Sequence, residues 1–320
     1  MARMLGYFTE GLGQEINVLV ATSGDTGSAV ASGFLNVEGV KVFILYPSGG
    51  VSPLQELQLT TMGGNITALE IGGTFDDCQK MVKQAFRDEV LKEKMILTSA
   101  NSINLARLLP QSFYYFNAWA RLGAEEEFYV SVPSGNFGNL TAGLIAGRIG
   151  LPVKHYIVAT NVNDVVPEYL ETGVFRPRPS IPTIANAMDV GNPSNFDRIL
   201  DLYGRSHSRI LEAMSAYAYK DDEMRETIGE VYRRTGYLLE PHGAAAYRAL
   251  KEHAPKQKGI PGVFLETAHP GKFSQTVEEV IHAPVNIPAS LKALSGKQKT
   301  SVPLSAGFDD LREFLLGNPA

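Results

Sequence analysis

The sequence predicts an α/β protein built on parallel sheets and organised as two successive α/β units. Three observations carry this expectation. Continuous apolar runs such as INVLVA (16–21) and FYVSVP (128–133) are bounded by turn residues, and runs without polar alternation suit strands covered on both faces. Each run precedes a longer segment of helical periodicity, the order that βα units produce. Twice, at 21–28 and 133–139, a glycine-containing turn joins strand to helix.

Taken in order, Met4, Leu5, Tyr7 and Phe8 read as the end of an amphipathic helix with no capping residue before it, so the chain is expected to start inside an element. Strands at 16–21, 40–46 and 66–71 alternate with helices at 28–36, 52–62 and 75–92. Asp76 and Asp77 mark the acidic first turn of the last of these. A short strand at 95–98 follows. The next helix, 103–122, carries Leu105, Leu108, Leu109, Phe113, Phe116 and Trp119 on one face, and Pro110 should interrupt it. The second unit repeats the pattern with strands at 128–133 and 153–160, helices at 208–218, 222–235 and 242–253, a strand at 262–267 and a helix at 270–282. Residues 286–305 are rich in Pro, Ser and Lys and should run over the surface to a last helix at 308–316. The expected domains are a smaller one at 1–102 and a larger one at 103–320.

A chain of 320 residues with 44% apolar and 20% charged residues has the composition of a soluble globular protein. A net charge of −5 gives no footprint for nucleic acid or an anionic membrane, so any phosphate must be gripped locally. No apolar run is long enough to span a bilayer, and residues 1–15 are not a secretory signal, being interrupted by Arg3, Gly6 and Glu10. One cysteine, Cys78, excludes an intrachain disulfide and suits a reducing compartment, which makes the cytoplasm the expected location. The six histidines show no spacing that suggests a metal site.

Four constellations could carry chemistry. In 21–28, Ser23, Gly24, Asp25, Thr26 and Ser28 stand between strand and helix, where unpaired N–H groups and hydroxyls attract an anion. The same physics applies to Gly135, Asn136, Phe137, Gly138 and Asn139. A capped tight turn is the alternative reading of either loop. Neither carries G-x-G-x-x-G, because Thr26 and Phe137 stand where glycine is needed. Asn104 and Arg107, three apart on the expected helix, could form a fork for phosphate, or Arg107 could snorkel to the surface. Thr267 and His269 follow the last strand, at the end of a parallel sheet where ligands bind. His269 stays open between capping and catalysis, and no G-x-S-x-G elbow points to an α/β-hydrolase.

Together these segments resemble the threonine synthases. The matching phrases are ATSGDTGSA (21–29), VSPLQE (51–56), NSINLAR (101–107), PSGNFGN (133–139), the ATN-ND stretch (159–164), MDVGNPSNF (188–196), EPHGA (240–244) and TAHPGKF (267–273), in the family's order. The resemblance implies two parallel-sheet α/β domains of the fold type II pyridoxal-phosphate (PLP) kind, similar to the tryptophan synthase β-subunit and here N-terminally truncated. It implies conversion of O-phospho-L-homoserine and water to L-threonine and phosphate by a monomer. Gly135, Asn136, Phe137, Gly138 and Asn139 would cradle the PLP phosphate and Thr267 would meet the pyridine nitrogen. Ser23, Gly24, Asp25 and Thr26 would line the substrate's carboxylate or phosphate, with Asn104 and Arg107 on the phosphate.

Two departures bear on activity. The family's Schiff-base lysine lies in a Lys-Asp motif just upstream of the helix that residues 1–8 finish, and no such motif precedes that helix here, so no catalytic residue is assigned in the chain. Near 46–57 the family carries basic residues where Ser48, Gly50 and Leu57 stand. The expectation is a fragment inactive alone. A remnant that binds PLP or a phosphometabolite without turnover, and another fold type II lyase, remain alternatives.

Overall fold

In the computed structural model the described residues are 1–11, 13–101, 104–123, 127–254, 260–294 and 296–317. They form two compact units, Met1–Asn104 with Pro288–Ala320, and Leu105–Ile287. The expected boundary at 102/103 falls on residues outside the described set.

The first unit opens with helix α1 (Ala2–Thr9), strand β1 (Ile16–Ala21), α2 (Asp25–Phe34), β2 (Val40–Pro47), α3 (Pro53–Thr60), β3 (Ile66–Gly72), α4 (Phe75–Ala85), α5 (Glu89–Lys94) and β4 (Ile96–Ser99). All six residues of β1 are buried, which is what an uninterrupted apolar run requires. Sequence capping signals work locally. Thr74 and Asp77 form a capping box on α4, as Ser52 and Gln55 do on α3, each satisfying orphan N–H groups. The expected helix at 75–92 is two helices, because Asp88 Oδ1 accepts from Leu91 N at 2.9 Å and starts a new one.

The second unit runs through α6 (Leu105–Leu108), a 3₁₀ turn (Leu109–Gln111) and α7 (Ser112–Arg121), so the backbone changes character around Pro110. It continues with β5 (Phe128–Pro133), α8 (Gly138–Arg148), β6 (Val153–Thr160), α9 (Val165–Thr172), α10 (Phe196–Leu202), α11 (His207–Ala213), β7 (Met214–Ala218), α12 (Asp221–Thr235), α13 (Pro241–His253), β8 (Gly262–Phe264) and α14 (Ser274–Ile281). Its sheet has the order β7-β6-β5-β8, all parallel. The expected helix at 208–218 stops at Ala213. Residues 214–218 pair with β6 from Tyr156 to Thr160, and that pairing overrides their weak local helical preference. The last strand is likewise shorter than 262–267, although Leu265 N still reaches Ser131 O at 3.0 Å.

After α14 the chain returns to the first unit with α15 (Ala289–Lys292), β9 (Val302–Ser305) and α16 (Phe308–Gly317). This corrects the expected extent of the second domain, 103–320, and the reading of 286–305 as surface loop. Strand β9 pairs with β3 from Leu69↔Val302 to Gly72↔Ser305 and completes a five-stranded parallel sheet, β4-β1-β2-β3-β9. Lys299 reinforces the return with contacts to Glu56 at 2.6 Å and Glu70 at 2.7 Å. This cation and two serine hydroxyls hold the Glu70 carboxyl down at about 2.

Candidate functional site

The loop after β5 is shaped by its own side chains. Ser134 Oγ donates to Asn139 Oδ1 at 2.8 Å, Asn139 Nδ2 donates to Pro133 O at 2.7 Å, and Leu140 N donates to Asn139 Oδ1 at 2.9 Å. The Asn139 side chain therefore ties the end of the strand to the first turn of α8. Phe137 adopts a left-handed conformation, φ 61°, at the N-cap, a costly choice for a bulky residue and a feature of loops whose amides converge on an anion. The first four N–H groups of any helix lack intrahelical acceptors. At α8, Thr141 N already donates to Phe137 O at 2.9 Å and Leu140 N to Asn139 Oδ1, so the N–H groups that face a ligand are those before Leu140.

Gly135 is pressed onto the neighbouring backbone. A Cβ there would fall 2.5 Å from Ala187 O and 2.6 Å from Met188 Cα. Asn136 is anchored from the same direction, its Oδ1 accepting from Ser194 N at 2.6 Å and Ser194 Oγ at 3.0 Å, while Asn195 Nδ2 donates to Asn136 O at 2.9 Å. The close backbone approach, the left-handed residue and the helix N-terminus together fit a phosphate monoester.

The loop after β1, in the first unit, is organised by a residue not singled out from sequence. Thr22 Oγ1 accepts from Gly24 N at 3.0 Å and Gly27 N at 2.8 Å, acting as the cap of α2. Gly24 needs φ 130°, and a Cβ on it would strike the Gln55 amide at 2.5 Å. Gln55 is fully buried and donates to Asp25 Oδ1 at 3.1 Å, which explains part of the VSPLQE phrase. Ser28 was expected to offer a donor to a ligand. Its hydroxyl instead donates to Asp25 O at 3.0 Å within α2. Ser23, Asp25 and Thr26 are half-buried at the mouth of the turn.

Asn104 and Arg107 do not share a helix face as expected. Asn104 precedes α6, belongs to the first unit, and donates from Nδ2 to Ser99 O at 3.1 Å. Arg107 lies in the four-residue α6 of the second unit, half-buried, and burial pushes its guanidinium down to about 10. Ser102 and Ile103 of the same phrase lie outside the described residues. Asn101, missed from sequence, brackets Ala21: it accepts from Ala21 N at 2.9 Å and donates to Ala21 O at 2.6 Å. An Asn directly after a strand was the available signal.

Thr267 is exposed beyond β8. His269 Nδ1 accepts from Gly271 N at 3.0 Å and caps the following 3₁₀ turn. Glu266 is the unexpected group. Its Oε1 is buried with no hydrogen-bond partner among the described residues, and burial raises the carboxyl to about 9, with Glu240 adding to the rise. Among the described residues no group of three or more His, Cys, Asp or Glu side chains could hold a metal ion, and no helix is long and apolar enough to cross a membrane.

Comparison with known proteins gives this geometry a family. A profile described as "Pyridoxal-phosphate dependent enzyme" matches residues 1–264, and one described as "Threonine synthase, C-terminal" matches 243–315. The threonine synthase of Serratia marcescens is 47% identical over 309 residues, covering 96% of this chain and 71% of that protein. The crystal structure of threonine synthase from Escherichia coli superposes with a TM-score of 0.91 at 44% identity, covering 99% of this chain and 74% of that one. A PLP-bound threonine synthase from Brucella melitensis gives 0.85 at 35% identity, over 98% and 73%. The chain belongs to the threonine synthase family of pyridoxal-phosphate-dependent lyases.

Proposed function

We propose that this chain binds PLP and O-phospho-L-homoserine in the reaction that turns the latter, with water, into L-threonine and phosphate. The family supports the reaction class, and the second unit supports the cofactor reading. Bound PLP supplies an electron sink for carbanion chemistry. In this reading the backbone of Gly135, Asn136, Phe137, Gly138 and Asn139 holds the cofactor phosphate. Thr267 offers a neutral hydroxyl to the pyridine nitrogen and so tempers the sink. Ser23, Gly24, Asp25 and Thr26 receive an anionic end of the substrate. Asn104 and Arg107 serve its phosphate, which is also the leaving group, and a guanidinium there gains strength as negative charge builds.

The observation that carries this reading is the packing of Gly135 on Ala187 and Met188, which leaves no room for a Cβ. A plain turn has no need for so close a backbone approach. On this reading the 320-residue chain retains PLP through the cofactor's phosphate. Equilibrium dialysis tests this retention. Gly135→Val should weaken PLP retention by at least about tenfold, given the loss of charge-assisted amide contacts. Parental retention in that variant would reduce the loop to a turn.

A further inference from the structure

Three phrases of the sequence, 159–164, 188–196 and 240–244, had no role assigned beyond the resemblance. In the second unit they converge behind the loop at 134–139. Because Gly135 rests directly on Ala187 and Met188, the position of those two residues sets the position of the loop.

What holds Ala187 is a histidine. Ala187 N donates to His242 Nε2 at 3.1 Å. A ring nitrogen that accepts carries no proton, so the proton of this imidazole sits on Nδ1. His242 Nδ1 faces Glu240 Oε2 at 2.5 Å, and the imidazole is 2% exposed. Glu240 is itself fully buried, with Oε2 accepting from His242 N and Oε1 from Gly243 N, both at 2.9 Å, at the start of α13. The carboxylate thus fixes the orientation and the tautomer of the ring, as carboxylates fix metal-binding histidines. The ring in turn holds the Ala187 amide.

The rest of the segment is closed on both sides. Asp189 Oδ1 accepts from Asn161 Nδ2 at 2.7 Å and Thr183 Oγ1 at 2.8 Å, and Oδ2 accepts from Thr183 N at 3.0 Å. Those bonds pin 183–189 to the end of β6. Beyond them, Ser194 and Asn195 grip Asn136, as described above. A buried network with several members satisfied at once is rigid and selects one geometry.

We propose that residues 183–195 form a clamp that sets the cradle of the cofactor phosphate, with His242, oriented by Glu240, as its positioning residue. The proposal rests on the reading of 134–139 given under Proposed function and extends it to a residue that acts through Ala187. An ordinary buried histidine would stabilise the unit at large. This one accepts from the Ala187 amide, directly under the loop.

The test uses the full chain with His242→Phe, which keeps the ring shape without an acceptor, and His242→Gln, whose amide oxygen can take the place of Nε2. Two readouts are needed: hydrogen–deuterium exchange resolved by peptide, and dissociation constants for PLP and for pyridoxal, which has the same ring without the phosphate. In His242→Phe, exchange over 134–140 and 183–195 should rise about tenfold or more while β6 and α12 keep parental rates, and PLP binding should weaken by about tenfold with pyridoxal unchanged, the usual worth of one lost buried hydrogen bond. His242→Gln should recover most of both losses. If His242→Phe does not fold, Ser194→Ala should raise exchange over 134–140 alone. Parental exchange and affinity in His242→Phe overturn the clamp, as does a uniform loosening of the whole unit or a failure of His242→Gln to rescue. A parent that holds PLP no tighter than pyridoxal overturns the phosphate reading itself, and exchange over 134–140 then tells that failure apart from a failure of the clamp.

Discussion

At the scale of single residues, the functional loops are governed by which polar atoms are already spent. Ser28 spends its hydroxyl proton on Asp25 O within α2, Asn139 accepts from Leu140 N at the start of α8, and Thr22 caps α2 from two residues before the loop's first glycine. Arg107 has its charge pushed down by burial to about 10, the direction that an incoming phosphate dianion would reverse. Removing the guanidinium in Arg107→Ala should weaken O-phosphohomoserine binding, measured by calorimetry, by roughly ten- to a hundredfold. Arg107→Lys should recover only part, since a point charge lacks the fork. PLP affinity should stay parental in both; an equal loss of both ligands would remove Arg107 from the substrate phosphate. Glu266 supplies a pH test with a definite sign. Its folded carboxyl titrates near 9 against a reference of 4.5, so the stability tied to its neutral form is complete at low pH and is lost as pH rises through 9. Glu266→Gln should therefore melt close to the parent at pH 5 and progressively higher than it towards pH 9. A melting difference that does not change with pH would show that Glu266 is ionised throughout.

At the scale of elements, the helices expected from 52 and 75 start where the structure has them, and the caps that set those starts are local chemistry. Thr74, Asp77, Ser52 and Gln55 lie within three residues of the N–H groups they satisfy. Gln55 does more than its capping role suggests, since its buried amide also holds Asp25 and abuts Gly24. Gln55→Leu should cost about 2 kcal/mol by denaturant unfolding, the sum of a lost cap and a lost buried hydrogen bond. It should also speed exchange in 22–28. A loss confined to α3, with 22–28 at parental rates, would show that the β1–α2 turn stands without this brace. Where the element expectations failed, the deciding contact was distant in sequence. Met214–Ala218 becomes a strand because Tyr156–Thr160 offers an edge. The ends of the expected helix at 75–92 were right in kind, but Asp88 starts a second helix inside it. Helices α9 and α10 carried no cap signal strong enough to stand out from the surrounding Pro- and Asn-rich sequence.

At the scale of the whole chain, the first unit is discontinuous. Strand β9 covers the edge of β3, and Phe314 of α16 lies edge-on to Phe43 with ring centroids 6.1 Å apart. Deleting 288–320 should therefore expose a sheet edge and an apolar face. Limited proteolysis should then cut within 1–104 while 128–160 stays protected as in the parent. Equal protection of the first unit with and without 288–320 would mean that its four N-terminal strands suffice. The sequence by itself determined the parallel α/β class, the strands β1, β2, β3, β5 and β6, the two glycine-containing loops and the family, because apolar runs, caps and turn residues act over a few positions. The tertiary structure decided the return of β9 to the first sheet, the conversion of 214–218 to strand, and the convergence of Asn161, Asp189, Glu240 and His242 behind Gly135. Each of these depends on contacts between residues far apart along the chain, whose free energy outweighs local preference and leaves no periodic trace in the sequence.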